Sequence, residues 1–341
     1  MRSDSRTRRG IPLLWFSSML LGANASAAVD MEAVERAKRE FVERMVSKHD
    51  FTREEVERTL ADIEINERIL ETIARPAERV VPWHEYRGIF LTPARIAAGV
   101  EFWSAHEDEI AAASARFGVA PEIIVAIIGI ETYFGTRMGN YRVLDALATL
   151  AFAYPPRASF FASELEAFLL LGREEGLGLF DQLGSYAGAM GAGQFIPSSF
   201  RAYAVDGNGD GQRNLWTDWE DILASVANYF KVHGWRDGGL VADPVSLGDE
   251  WSGHTPANAM ELEHTVGELR RLGYVLPPER DDDLPATILG LEGEGGSTEY
   301  WVGYHNFRVI TRYNRSVKYA LAAHELSRAI ADAYAAGNGR E

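Results

Sequence analysis

The stretch Pro121-Glu-Ile-Ile-Val-Ala-Ile-Ile-Gly-Ile-Glu-Thr-Tyr133 contains eight consecutive residues without a charge, Ile123 to Ile130, followed by an acid, Glu131. Proline suits the opening turn of a helix. A run that is apolar on every face describes a helix buried on nearly all sides. The last turn of that helix therefore carries a carboxyl group into surroundings poor in water. Poor solvation favours the neutral carboxyl, as a general acid requires. The structural alternative for Glu131 is a salt bridge to Arg137 or Arg142.

Working outward, the pattern stays helical. Val34, Ala37, Phe41, Val42, Met45 and Val46 recur at three- and four-residue spacings, and Thr52 with Glu55 forms a capping box for a second helix. Thr92-Pro93 predicts an N-cap and first helical residue, with the helix running to about Phe117 and stopping at Gly118. Helices are also predicted at Leu144 to Ala153, Ser159 to about Glu174, Pro197 to Ala204, Asp221 to His233 and Ser316 to Ala336. Between Trp235 and Thr311 the chain is richer in Gly and Pro, and Ala286 to Leu291 and Glu299 to Thr311 have the look of strands. The fold class is mainly α (α+β), with one small β-containing part.

The 341 residues hold 34 Lys+Arg against 50 Asp+Glu, a net charge of −16, and no cysteine. An acidic chain is a poor nucleic-acid binder, because phosphate is held mainly by Lys and Arg. Without cysteine there are no disulfides, thiolate metal sites or Cys nucleophiles, and lipidation at a processed N-terminus has no acceptor. Arg2, Arg6, Arg8 and Arg9, the apolar Ile11 to Leu21 and Ala25-Ser26-Ala27 compose a secretory signal peptide. Its apolar stretch falls short of the roughly 20 residues a spanning helix needs. The mature chain is expected to be exported, soluble and unlipidated.

Asp206-Gly-Asn208-Gly-Asp210-Gly211-Gln212 places oxygen side chains at loop positions one, three and five, Gly at six and a carbonyl at seven. This is the first half of an EF-hand, and points to a structural Ca²⁺ held by Asp206, Asn208, Asp210 and Gln212. Thr217, which cannot supply a bidentate carboxylate, stands at position twelve, and Asp218, Glu220 and Asp221 follow it as candidates for the closing acid. No GxSxG, HExxH, Walker loop or GxGxxG occurs, which leaves serine hydrolases, zinc proteases and nucleotide enzymes without support. No organic cofactor is called for. Aromatic residues, among them Tyr86, Tyr154, Tyr186, Phe195, Tyr203, Tyr229, Tyr313 and Tyr319, fall around the glycine-rich segment and the later helices. They suit either core packing or a sugar groove.

Five blocks in order carry a resemblance. They are Ile127-Ile-Gly-Ile-Glu131-Thr-Tyr-Phe-Gly135, Leu144-Asp-Ala-Leu-Ala-Thr-Leu150, Gly184-Ser-Tyr-Ala-Gly-Ala-Met-Gly-Ala-Gly-Gln194-Phe-Ile-Pro-Ser-Ser199, Ser225-Val-Ala-Asn-Tyr-Phe230 and Thr311-Arg-Tyr-Asn-Arg-Ser-Val-Lys-Tyr319. From about Phe41 to Ala331 the chain resembles the lytic murein transglycosylases of the B type. The resemblance implies cleavage of the β-1,4 bond between N-acetylmuramic acid and N-acetylglucosamine of peptidoglycan, leaving 1,6-anhydromuramoyl ends, with Glu131 as the single acid/base. It implies that Ser185 and Gln194 line the sugar cleft, and that Tyr86, Tyr229, Tyr313, Asn314 and Tyr319 shape the pocket of the acid. Arg157 matches one of two adjacent arginines that meet the peptide or muramoyl carboxylate side of the substrate; the other is Pro156 here. Aligned from Ser225, the resemblance makes Asp221 the closing calcium ligand, with Glu220 as competitor.

The implied architecture is a signal peptide at 1–27, an N-terminal helical domain at 28–98 and a lysozyme-like catalytic core at 99–235 that includes the EF-hand-like loop 206–221. A small β-containing domain follows at 236–305, and a segment at 306–341 returns to the core. Peptidoglycan strands are the expected partner, with cell-wall synthesis or remodelling enzymes as further ones. Two rival functions follow from the same residues: a hydrolytic muramidase with a second acid among Asp145, Glu164 or Glu166, and a non-catalytic Ca²⁺-dependent murein-binding protein.

Overall fold

A computed structural model describes residues 29–74 and 81–338. The signal-peptide stretch lies outside the described residues. In chain order the helices are α1 (Met31–His49), α2 (Arg53–Ala61), α3 (Glu67–Ala74), α4 (Trp83–Phe90), α5 (Pro93–Ala105), α6 (Glu107–Phe117), α7 (Pro121–Thr132), α8 (Val143–Ala153), α9 (Ala158–Glu175), α10 (Pro197–Tyr203), α11 (Trp219–Val232), α12 (Val266–Arg271), α13 (His305–Tyr313) and α14 (Val317–Asn338). The strands are β1 (Tyr141–Arg142), β2 (Leu183–Gly184), β3 (Ala242–Leu247), β4 (His264–Thr265), β5 (Tyr274–Val275), β6 (Pro285–Glu292) and β7 (Thr298–Gly303).

The described chain forms two compact units, one of residues 81–126 and 226–338 and the other of residues 29–74 and 127–225. The second unit is helical. Ten of the eleven residues of α8 are buried, so it is packed on every side. Val34, Phe41, Val42 and Met45 give α1 one buried stripe, and the Phe41 ring meets Phe152 of α8 edge-on at 5.9 Å. Two polar side chains of α8 face the link between α2 and α3: Asp145 accepts from Glu64 N at 3.1 Å and Thr149 Oγ1 from Asn66 N at 3.0 Å. The capping box of α2 is present, Thr52 accepting from Glu55 N while Glu55 accepts from Thr52 N.

In the first unit, five strands form an antiparallel sheet in the order β4-β6-β7-β3-β5. The register of its central pairs sets Ile288 opposite Val302 and Asp243 opposite Val302 from the other side. Val266, Leu269, Tyr274, Leu276, Ala286, Ile288, Val302 and Tyr304 make its core. Helices α5 and α14 pack together, with Trp103 stacked on Tyr334 at 4.6 Å. Two sequence expectations differ here. The helix expected from Pro93 to Phe117 is divided at His106, where the three acids Glu107, Asp108 and Glu109 open a new first turn. The strand expected from Glu299 ends at Gly303, because the apolar residues beyond it, Phe307, Val309 and Ile310, follow the helical spacing of α13.

Candidate active site

Glu131 is the penultimate residue of α7 and only 8% exposed. What stops the helix there is an unusual turn. Tyr133, Phe134 and Gly135 have φ of 50°, 57° and 78°, three successive residues in the left-handed region that favours glycine. The turn folds Phe134 back over Gly129, where a Cβ would lie 2.7 Å from the ring, and Phe134 N donates to Ile128 O at 3.2 Å. Thr132, beside the acid, donates from Oγ1 to Ala192 O at 2.9 Å and accepts from Gly135 N at 3.0 Å. The end of the acid-bearing helix is thereby tied to the glycine-rich segment.

That segment is assembled from close backbone approaches. A Cβ on Gly184 would lie 2.2 Å from Ala189 O, and one on Gly191, at φ 66°, would lie 2.1 Å from Leu215 O. Met190 and Phe195 exchange backbone hydrogen bonds at 2.9 Å in both directions. Ser185 Oγ accepts from Ala189 N at 3.0 Å, and Gln194, 3% exposed with φ 52°, donates from Nε2 to Gly191 O at 2.9 Å and Met138 O at 3.1 Å. Arg157, at the end of the short 3₁₀ turn before α9, lies with its guanidinium 4.4 Å from the Phe160 ring centre, and burial lowers its pKa.

The acids weighed as a second catalytic group are all engaged. Asp145 holds Glu64 N and meets Arg142 at 3.2 Å. Glu166 meets His49 at 2.8 Å. Glu164, 2% exposed, accepts from Ser198 N at 2.9 Å and Ser198 Oγ at 2.7 Å, capping the start of α10; burial pushes its pKa up. That cap and the Thr132 tie were missed by sequence reasoning. A helix-opening Pro197-Ser198 lacking its own side-chain cap is the signal that would have prompted a search for the cap.

In the loop before α11, Asp206, Asp210 and Asp221 accept hydrogen bonds from backbone N–H groups. Asp206 accepts from Gly209 N at 2.6 Å and Gly211 N at 2.9 Å, and Asp210 from Gln212 N at 2.8 Å. Asp221, 1% exposed, accepts from Gly207 N and Asn214 N, both at 2.6 Å, and so joins the two ends of the loop. Glu220 is exposed. Burial raises the Asp221 pKa, and the charges of Asp218 and Asp206 raise it further. Among the described residues no three acids or imidazoles converge as a preformed cage. An all-oxygen donor set with mutually repelling carboxylates nonetheless fits a hard cation such as Ca²⁺. Gly211, at φ 91°, provides the sharp turn of position six.

The first unit holds the remaining residues. Tyr229 and Tyr313 are buried and meet edge-on at 4.9 Å, and the Tyr229 hydroxyl donates to Arg312 O at 2.6 Å. Asn314 ends α13 with 4% exposure, and Tyr319 lies in the first turn of α14 with 2%. Tyr86 stands on α4 with its ring near Trp83 and Phe90.

A mainly helical fold presenting a buried, helix-terminal acid beside a glycine-built segment defines the class as lysozyme-like. A family model described as Transglycosylase SLT domain matches residues 33–328. Membrane-bound lytic murein transglycosylase B of Escherichia coli K12 is 42% identical over 303 residues, covering 86% of this chain and 82% of that protein. Among solved structures, soluble lytic transglycosylase SltB1 of Pseudomonas aeruginosa superposes with a TM-score of 0.83 at 48% identity, covering 87% of this chain and 99% of that one. Escherichia coli Slt35 in complex with calcium gives 0.79 at 41%, covering 88% and 94%. Pseudomonas aeruginosa SltB3 in complex with NAG-NAM-pentapeptide gives 0.78 at 31%, covering 88% and 80%. The chain belongs to the lytic murein transglycosylase B family.

Proposed function

We propose that this enzyme cleaves the β-1,4 bond between N-acetylmuramic acid and N-acetylglucosamine of peptidoglycan without water, with Glu131 as the only acid/base. The observation that carries this reading is the placement of Glu131, a buried acid at the end of an apolar helix; Asp145, Glu164 and Glu166, the candidates for a second acid, each hold a backbone or ion-pair partner. A hydrolytic glycosidase normally uses two carboxyl groups, about 5 Å or about 6.5–9.5 Å apart. An intramolecular nucleophile removes that need. Glu131 donates its proton to the glycosidic oxygen as the C1–O bond breaks, and the carboxylate then takes the proton of the muramoyl C6 hydroxyl as its oxygen bonds to C1. The proton returns to Glu131, and the product carries a 1,6-anhydro ring.

Ser185 and Gln194 are assigned to the sugar cleft, Tyr86, Tyr229, Tyr313, Asn314 and Tyr319 to the walls around the acid, and Arg157 to a carboxylate of the substrate. Asp206, Asn208, Asp210, Gln212 and Asp221 would hold Ca²⁺, whose charge would clamp the loop ahead of α11. The calcium complex of Slt35 supports this assignment. Residues 1–27 direct export, so the mature enzyme is periplasmic, and peptidoglycan is its partner, as the fragment bound to SltB3 supports.

Digestion of purified sacculi tests the reading. Mass spectrometry is expected to find 1,6-anhydromuramoyl ends; reducing muramic ends would replace it with hydrolysis. Glu131→Gln is expected to lower cleavage at least about 1,000-fold while leaving murein binding intact.

A further inference from the structure

Helix α4 carries Tyr86, yet it is eight residues long and has no side-chain N-cap, and its Ile89 is 52% exposed. A helix this short does not hold itself in place. Side-chain tethers to the rest of its unit do so. Trp83, fully buried, donates from Nε1 to Glu299 of β7 at 3.1 Å. His84 Nδ1 lies 3.3 Å from the Glu292 carbonyl oxygen, and Lys318 of α14 donates to the carbonyl of Val81 just ahead of the helix. Arg87, directly after Tyr86, meets Glu325 of α14 at 2.6 Å.

Glu325 is the costly member of this set. Its side chain is 10% exposed, against 40% for Arg87, and its Oε2 is buried with no hydrogen-bond partner among the described residues. Burial, with the nearby charge of Glu299, pushes its pKa up to about 7. A buried carboxyl with one unsatisfied oxygen destabilises a fold, and an apolar residue of similar size would pack at least as well. An acid at such a position fits a directional requirement, met by the contact to Arg87.

We propose that Glu325 is a positioning residue for the transglycosylase reaction: through Arg87 it fixes the orientation of α4 and so places Tyr86. This rests on the assignment of Tyr86 to the walls of the site. The test is kcat/KM for glycan cleavage by the full-length enzyme, with thermal unfolding of each variant. Glu325→Leu is expected to lower kcat/KM about tenfold while Tm is unchanged or raised, which a purely structural role would not produce. Glu325→Gln, which keeps an acceptor for Arg87, is expected to restore most of the activity. Combined with Tyr86→Phe, Glu325→Leu is expected to add little further loss, because both act through one side chain. Wild-type kcat/KM in Glu325→Leu, or losses that multiply in the double variant, would overturn the proposal. If Glu325→Leu does not fold, Arg87→Ala, at a half-exposed position, reads the same coupling. Reducing muramic ends from the wild type would overturn only the reaction assignment, since the coupling is measured on cleavage whatever the product.

Discussion

Two neighbouring stretches of the helical unit, the glycine-rich segment 184–194 and the loop 206–221, solve one problem in opposite ways. Both are irregular chain whose backbone N–H groups need partners. In the first, small residues let backbone meet backbone, Ser185 N donating to Ala189 O at 2.8 Å and Ala192 N to Leu215 O at 2.9 Å, and the side-chain acceptor used is the neutral Ser185 hydroxyl. In the second, side chains supply the acceptors, and Asp221 alone serves N–H groups at positions 207 and 214. The glycine solution is neutral and indifferent to ions. The carboxylate solution gathers charge that a cation can balance, so the two regions should respond differently to substitution, chelator and pH.

The largest effect is expected from Gly191→Ala. The new methyl would meet Leu215 O at 2.1 Å in a left-handed backbone, and backbone cannot yield as a side chain can. A loss of about 4 kcal/mol or more is expected in urea unfolding, together with loss of cleavage. Asp221→Ala comes next. It strips two buried N–H groups of their acceptor, at a cost of about 2–4 kcal/mol in the same measurement. Chelator separates the regions more finely. With Ca²⁺ at a hundredfold excess over Kd the wild type gains about 2.7 kcal/mol, which EDTA removes. Asp206→Ala is expected to show no EDTA-dependent shift in Tm, and a shift equal to that of the wild type would sink the calcium assignment.

The smallest effect lies where the glycine segment passes into α10. Glu164→Gln leaves one acceptor oxygen where two N–H or O–H donors now bind, a cost of about 1 kcal/mol. Because burial raises the folded pKa of Glu164, the wild type loses stability as pH rises from the ordinary glutamate value, about 4.3, through the folded one. The deficit of Glu164→Gln should therefore be widest in acid and narrow as pH rises. Thermal unfolding across that range checks the sign.

Much of the site was legible because its signals are local. An apolar helix ending in Glu131, a capping box at Thr52 and the oxygen spacing of Asp206, Asn208 and Asp210 are each written within a few residues. The structure bears out the helix ending and the capping box. The strand expected beyond Gly303 failed because Phe307, Val309 and Ile310 read as apolar at either period until α13 packs them.

The sequence by itself determined where the acid stands on its helix, the mainly helical class and the family, since each depends on residue order along short stretches. Only the tertiary structure decided what the other acids do. Glu164 and Ser198, Asp145 and the 64–66 link, and Glu325 and Arg87 are pairs separated by 34 residues at the least. No local periodicity encodes such contacts. They come into being when distant segments are buried together, and burial is what turns an ordinary glutamate into a cap, a tether or an acid.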